Sequence, residues 1–207
     1  MINEILPGLA HWSAFHEGIG RTVYSGFVLE SGTLIDPLEP AEGLDAVAAL
    51  AAPQRVVLSN RHHYRHSARF TERFDCPVLC HEAGLHAFGK GQPVQGFAFG
   101  ESLADDVWAL ELGSICAEET ALWLGVDAGV LWFADGLTRA EDGSLAFMPD
   151  ELLGADPETV RAGLRRKLRS LLDEDFDALL FAHAEPVTSG AHELLSEFLS
   201  LSQLLSS

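Results

Sequence analysis

Val56-Val57-Leu58-Ser59-Asn60-Arg61-His62-His63-Tyr64-Arg65-His66-Ser67 is the stretch on which the fold turns. Arg55–Leu58 is short, apolar and partly β-branched, so it reads as a buried strand. Ser59–Ser67 is polar and rich in histidine, and reads as a loop. Ligands and catalytic groups in α/β proteins gather just past the carboxyl ends of strands, so this loop is the first place to look for chemistry. His63 and His66 are three residues apart, and a turn entering a helix would put them on a similar side. Two imidazoles there could hold a metal. The pair alone is weak evidence, because solvent-facing and hydrogen-bonded histidines are common.

Two more strands end in the same way. The apolar run Val130–Ala134 leads into Asp135 and Gly136, and Ala178–Ala182 leads into His183. Taken singly, Asp135 is as readily a loop or helix cap, and His183 as readily an ordinary loop histidine. Together, three strands each deliver a potential ligand, which is a recurring architecture instead of an isolated match.

Working outward, Thr22–Leu29 and Thr33–Ile35 read as strands joined by a hairpin at Ser31-Gly32, with Asp36-Pro37 stopping the second. Ala41–Leu50 carries apolar residues at helical spacing and ends before Pro53. A helix over Ala68–Phe74 and a strand over Pro77–Cys80 follow. Val94–Phe99, Val107–Leu112, Ala121–Val126 and Val130–Ala134 are strands, the last two joined at Gly125–Gly129. Pro157–Leu172 is a helix with Asp156 as N-cap and Pro157 in its first turn. His192–Leu205 is the closing helix, and its leucine stripe suits internal packing or a second copy equally, which leaves the oligomeric state open. No linker rich in Gly, Ser or Pro divides the 207 residues, and helices flanking sheets suit this order of elements.

Composition sets limits. Apolar residues make up 47% of the chain, ample for a sizeable core. A net charge of −18 argues against nucleic acid, which demands cations to displace phosphate counterions. Cys76, Cys80 and Cys116 form no zinc-knuckle or redox pair and read as buried small hydrophobes. The start, Met-Ile-Asn-Glu, lacks the basic region and apolar run of a signal peptide, and no apolar stretch has the length of a membrane span. The expected location is the cytoplasm, with no membrane partner.

Five segments, in order, resemble the metallo-β-lactamase superfamily. Thr22–Pro37, ending Leu-Ile-Asp-Pro, resembles its opening hairpin; Val56–Ser67 its strand and loop His-x-His-x-Asp-His; Pro77–Glu82 the following strand; Trp132–Gly136 (Trp-Phe-Ala-Asp-Gly) the strand carrying the bridging Asp; and Leu180–Pro186 (Leu-Phe-Ala-His-Ala-Glu-Pro) the strand ending in the last His ligand. The specific part is the collinearity. The resemblance implies an α/β fold, a four-layer αβ/βα sandwich with two mixed β-sheets flanked by helices, filling 1–207 as a single domain.

The departures matter as much. Laid over the loop motif, Arg61 falls on the first His, His63 on the second, Arg65 on the Asp and His66 on the last His, while Ser114 stands where the middle His belongs. Arg has no lone pair for a metal. By this overlay one metal position keeps only His63, and the other keeps His66, Asp135 and His183. Two histidines and a carboxylate with water in the fourth place are a catalytic zinc set. The resemblance therefore implies a mononuclear hydrolase of a small ester, thioester or amide, using zinc (or iron or manganese), with Asp135 and His63 as catalytic residues. Arg61, Arg65 and Tyr64 are the candidates for contacting a small-molecule substrate.

The alternative is a metal-free pseudoenzyme of the same fold. A guanidinium near Asp135 would form a two-pronged ion pair and repel a dication, leaving a pocket for a small anion or a protein partner. His62 would ligate only in a shifted loop register, and Glu118 or Glu119 would be replacement carboxylates. His81, His11 and His16 carry weaker claims, and Trp12, Phe15 and Tyr64 are read as pocket-lining or core aromatics.

Overall fold

The apolar residues of the strands alternate with period two, and the computed structural model, which describes residues 1–89 and 91–204, resolves that alternation into three packed layers of side chains. A strand points successive side chains to opposite faces. In β5 (Arg55–Leu58), Val57 faces inward between two sheets, whereas Val56 and Leu58 face outward. In β11 (Val130–Phe133), Val130 and Trp132 face the same inner core, and Leu131 and Phe133 the opposite outer one. Strands buried on both faces are near-continuous apolar runs, which is why they were readable from sequence.

The first sheet has seven strands in sequential order. β1 (Asn3–Leu6), β2 (Leu9–His16), β3 (Arg21–Val28) and β4 (Thr33–Ile35) are antiparallel; β5, β6 (Val78–His81) and β7 (Val94–Phe97) continue parallel to β4. The second sheet has five strands. β8 (Ser102–Ala104), β9 (Val107–Glu111), β10 (Thr120–Leu124) and β11 are antiparallel, and β14 (Ala178–Phe181) lies parallel to β11 at the edge. A two-stranded ribbon, β12 (Thr138–Arg139) with β13 (Leu145–Ala146), follows β11.

Helices cover both outer faces. α1 (Leu44–Ala48) and α2 (Ser67–Phe74) bury Val47 and Phe70 against the first sheet. α3 (Pro157–Leu171) and α4 (Ala191–Leu204) bury Leu164, Leu168, Leu195 and Leu199 against the second. The expected two-sheet sandwich flanked by helices is the observed architecture. Asp156 caps α3 by accepting from the backbone N–H of Thr159 at 3.1 Å, satisfying one of the helix's free donors. The final residue of the expected closing helix, Leu205, lies outside the described residues. Among the described residues no helix is long and apolar enough to cross a membrane.

Several details differ from the sequence reading, and β8 and the β12–β13 ribbon were not expected as strands. β1 and β2 precede the expected first hairpin and extend the sheet at its edge. α1 is shorter than Ala41–Leu50, starting only after Gly43, whose φ of 80° is not helical. Arg61–Tyr64 forms a 3-10 turn within the expected loop.

Candidate metal centre

β5, β11 and β14 end at one rim of the sandwich, and their following residues meet there. His63 Nε2 lies 3.2 Å from His183 Nε2, His183 Nε2 lies 3.0 Å from Asp135 Oδ1, and His63 Nε2 lies 3.8 Å from the same oxygen. A triangle with those sides has its centre about 2.0 Å from each corner, matching zinc bonds of ~2.0–2.2 Å to nitrogen and carboxylate oxygen. Among the described residues this is the one group of three acid, thiol or imidazole side chains close enough to share an ion.

The surroundings set each donor's protonation. Asp36, fully buried, accepts from the Ser59 backbone N–H (2.8 Å), the Trp132 indole Nε1–H (3.1 Å) and the Ser59 hydroxyl. Burial pushes its carboxyl up, but His63, Arg65 and Ser59 outweigh that and hold it below the usual range. It is therefore an acceptor, so His63 Nδ1, at 2.9 Å from Asp36 Oδ2, must be the donor. That tautomer leaves the lone pair on His63 Nε2, facing Asp135 and His183. A carboxylate orienting a ligand histidine is the arrangement found around metal sites.

Asp135 is held in turn by Asn60, whose Nδ2 donates to Oδ2 at 2.6 Å and leaves Oδ1 for the two imidazoles. Burial raises its carboxyl, but the hydrogen bond to His183 and the nearness of His63 dominate and keep it ionised. Burial keeps His183 below its ordinary value despite Asp135, which favours the neutral ring that metals require. Glu119 Oε1, fully buried, accepts from the backbone N–H of Asp135 (2.9 Å) and of Gly136 (2.7 Å), anchoring the turn after β11. Glycine at 136 leaves room there for Leu112: a Cβ would meet Leu112 Cδ2 at 2.2 Å, so the leucine would have to shift.

His66 is not part of the cluster. Arg65 adopts φ 43°, ψ −118°, which breaks the helical path on which 63 and 66 would share a side, so the donor set assembled is His63, Asp135 and His183 in place of His66, Asp135 and His183. His66 Nδ1 instead accepts from the backbone N–H of Glu39 at 3.2 Å. Arg61 turns away and pairs with Glu118, so neither enters the centre. Arg65 is a half-buried clamp, donating to the carbonyls of Tyr24 (2.7 Å) and Asp36 (2.6 Å), although it also lines the cavity. Tyr64 stacks obliquely on Phe88 in the outer core. Ser114 donates to the Leu112 carbonyl at 3.1 Å. Burial pushes the Cys80 and Cys116 thiols up to about 12, so both remain protonated.

A cavity of about 540 Å³ opens directly over the three donors. His62, Arg65 and Met148 line it beside them, and the β2–β3 hairpin contributes His16, Ile19 and Arg21. Asp36 and Asn60 are the supporting residues that sequence reasoning did not assign, whereas Glu119, weighed there as a replacement ligand, instead holds the turn backbone. Asp36 carried a usable signal, since it too is an ionisable residue at the end of an apolar strand.

No protein-family model and no curated relative matches the sequence. Solved structures do match. TMB-1, a structure described for substrate and inhibitor binding, is 15% identical over 100% of this chain and 98% of its own, with a TM-score of 0.68. A metallo-β-lactamase of Erythrobacter litoralis is 13% identical over 96% and 95%, TM-score 0.67. A flavo-diiron protein of Thermotoga maritima is 13% identical over 97% of this chain and 60% of its own, TM-score 0.67. The chain has the metallo-β-lactamase fold.

Proposed function

We propose that this chain of metallo-β-lactamase fold is a mononuclear metal-dependent hydrolase whose ion is held by His63 Nε2, Asp135 Oδ1 and His183 Nε2. The observation that carries the reading is the triangle of three ligand atoms spaced for one ion, with a cavity beside them. Three protein ligands with one open position are the mark of a catalytic zinc site, whereas structural sites are closed. When bound, a divalent ion supplies Lewis acidity and access to a water nucleophile near neutral pH.

The chain's own residues do the rest. Asp36 fixes the His63 tautomer, and Asn60 fixes the rotamer of Asp135. Glu119 locks the backbone beneath Asp135. Met148 and Ile115, with the exposed Leu152 and Ile19 at the mouth, give the cavity an apolar wall for an acyl group. The substrate class that suits this site is a small ester, thioester or amide.

One observation favours a second reading, a metal-free anion pocket: Arg65 lines the same cavity. Metal analysis of untagged protein decides between them. The hydrolase reading expects near one equivalent of zinc, iron or manganese, lost in Asp135→Ala and His183→Ala. Absence of metal after supplementation would sink it.

A further inference from the structure

With Arg61 paired to Glu118 and Arg65 committed to backbone carbonyls, the cations expected to meet substrate are already engaged. A different one is free. Arg21, at the start of β3, lines the cavity over the metal centre and also a second cavity of about 470 Å³ that shares Met148 and His183 with the first. Among the described residues the Arg21 side chain enters no hydrogen bond or ion pair. The other arginine of the second cavity, Arg139, is engaged with the carbonyls of Gly143, Glu185 and Pro186.

His16 reinforces the point. It is paired with Arg21 across the last rung of the β2–β3 hairpin, and directly opposed residues project from the same face. His16 lines the first cavity too, and its Nδ1 is buried without a hydrogen-bond partner. Two nitrogen-bearing side chains thus stand side by side at the cavity mouth, and among the described residues neither the Arg21 guanidinium nor His16 Nδ1 has a hydrogen-bond partner. Behind them the wall is apolar: Ile19, Ile115, Met148 and Leu152. In a chain of net charge −18, an unpaired guanidinium facing a cleft is the local feature that lets an anion approach.

We infer that Arg21, with His16 beside it, is the specificity-determining residue of this site, selecting substrates that carry a carboxylate on an apolar body. This rests on the hydrolase reading for the identity of the reaction, but not for the binding itself. A guanidinium forks onto a carboxylate through two parallel N–H···O bonds, while the apolar body lies along the Ile19–Leu152 side of the cavity.

The test is a calorimetric titration of metal-free protein, prepared with chelator, using 4-phenylbutyrate and its neutral counterpart 4-phenylbutyramide. Wild type is expected to bind the carboxylate about ten-fold more tightly than the amide. Arg21→Ala should abolish that preference while changing amide affinity less than two-fold, and Arg21→Lys should keep part of it. Equal affinity for the two probes, a preference that survives Arg21→Ala, or no binding of either at millimolar concentration overturns the inference. Because these titrations use metal-free protein, failure to bind zinc would end the hydrolase reading and leave this result untouched.

Discussion

Asp36 and His63, 27 residues apart and both buried, share a hydrogen bond of 2.9 Å that decides which nitrogen of the imidazole is available to an ion. The carboxylate sits at the end of β4 and the imidazole in the turn after β5, so the parallel pairing of these two strands sets the contact. Replacing Asp36 with Asn keeps the volume but puts a donor where donors already converge. Metal affinity should fall by about 10–100-fold, the usual cost of losing such a partner, and stability by ~1–3 kcal/mol for a buried group left unsatisfied. A chelator competition assay and urea unfolding read the two effects separately; unchanged zinc affinity would remove Asp36 from the centre.

The geometry separates His63 from His66. His63→Ala should abolish stoichiometric metal, whereas His66→Ala should leave it within about two-fold of wild type, since His66 serves the Glu39 backbone. Metal content by mass spectrometry after dialysis checks this. The reverse pattern would restore the set drawn from the linear motif.

Stability should depend on pH through a histidine outside the centre. His11 is buried, stacked on Tyr24 and set edge-on to Trp132, with Glu185 as the charge that attracts its protonated form. Burial lowers its pKa from 6.5 to about 4, with Glu185 opposing. Between those values the unfolded chain binds a proton that the folded chain refuses, so stability rises with pH across this window. The contribution is fully present above pH 6.5 and is lost as pH falls towards 4, reaching about 3 kcal/mol. His11→Phe should flatten this part of the stability profile, measured as urea midpoints from pH 4 to 7. An unchanged slope would place the proton elsewhere.

Gly136→Ala tests the turn beneath Asp135. Its Cβ would collide with Leu112 and approach Leu164 at 3.1 Å, both fully buried, so these side chains must shift within the core. Overpacking of this kind costs about 1–3 kcal/mol, and the shifted backbone should weaken metal binding along with stability. Thermal melts with and without zinc compare the two; a neutral effect in both would mean that the core relaxes freely.

Much of the fold was legible because the central strands are short, apolar on both faces and bounded by Gly, Pro or charged residues, as in Val56–Leu58 and Leu179–Phe181. β1 and β2 were not foreseen. Leu9–His16 is buried at its first four positions and then exposed or half-exposed, so neither period persists long enough to register, although Pro7-Gly8, with Gly8 at φ 83°, marked their turn. Asp135 and His183 were legible from position alone, each following an apolar strand. The choice between His63 and His66 was not, because it depends on Arg65 taking a positive φ, which the residue type disfavours. That conformation is held by contacts from Arg65 to Tyr24 and Asp36, distant in the chain.

His63 hangs from the first sheet, whereas Asp135 and His183 hang from the second. An ion gripped by all three would therefore act as a clasp between the two halves of the molecule, joining the Tyr24 N–H to Ala182 carbonyl bond of 2.9 Å as a strut across the same seam. Occupancy and sandwich closure are then one equilibrium: whatever pries the sheets apart must also spill the ion, and whatever supplies the ion must press the sheets together.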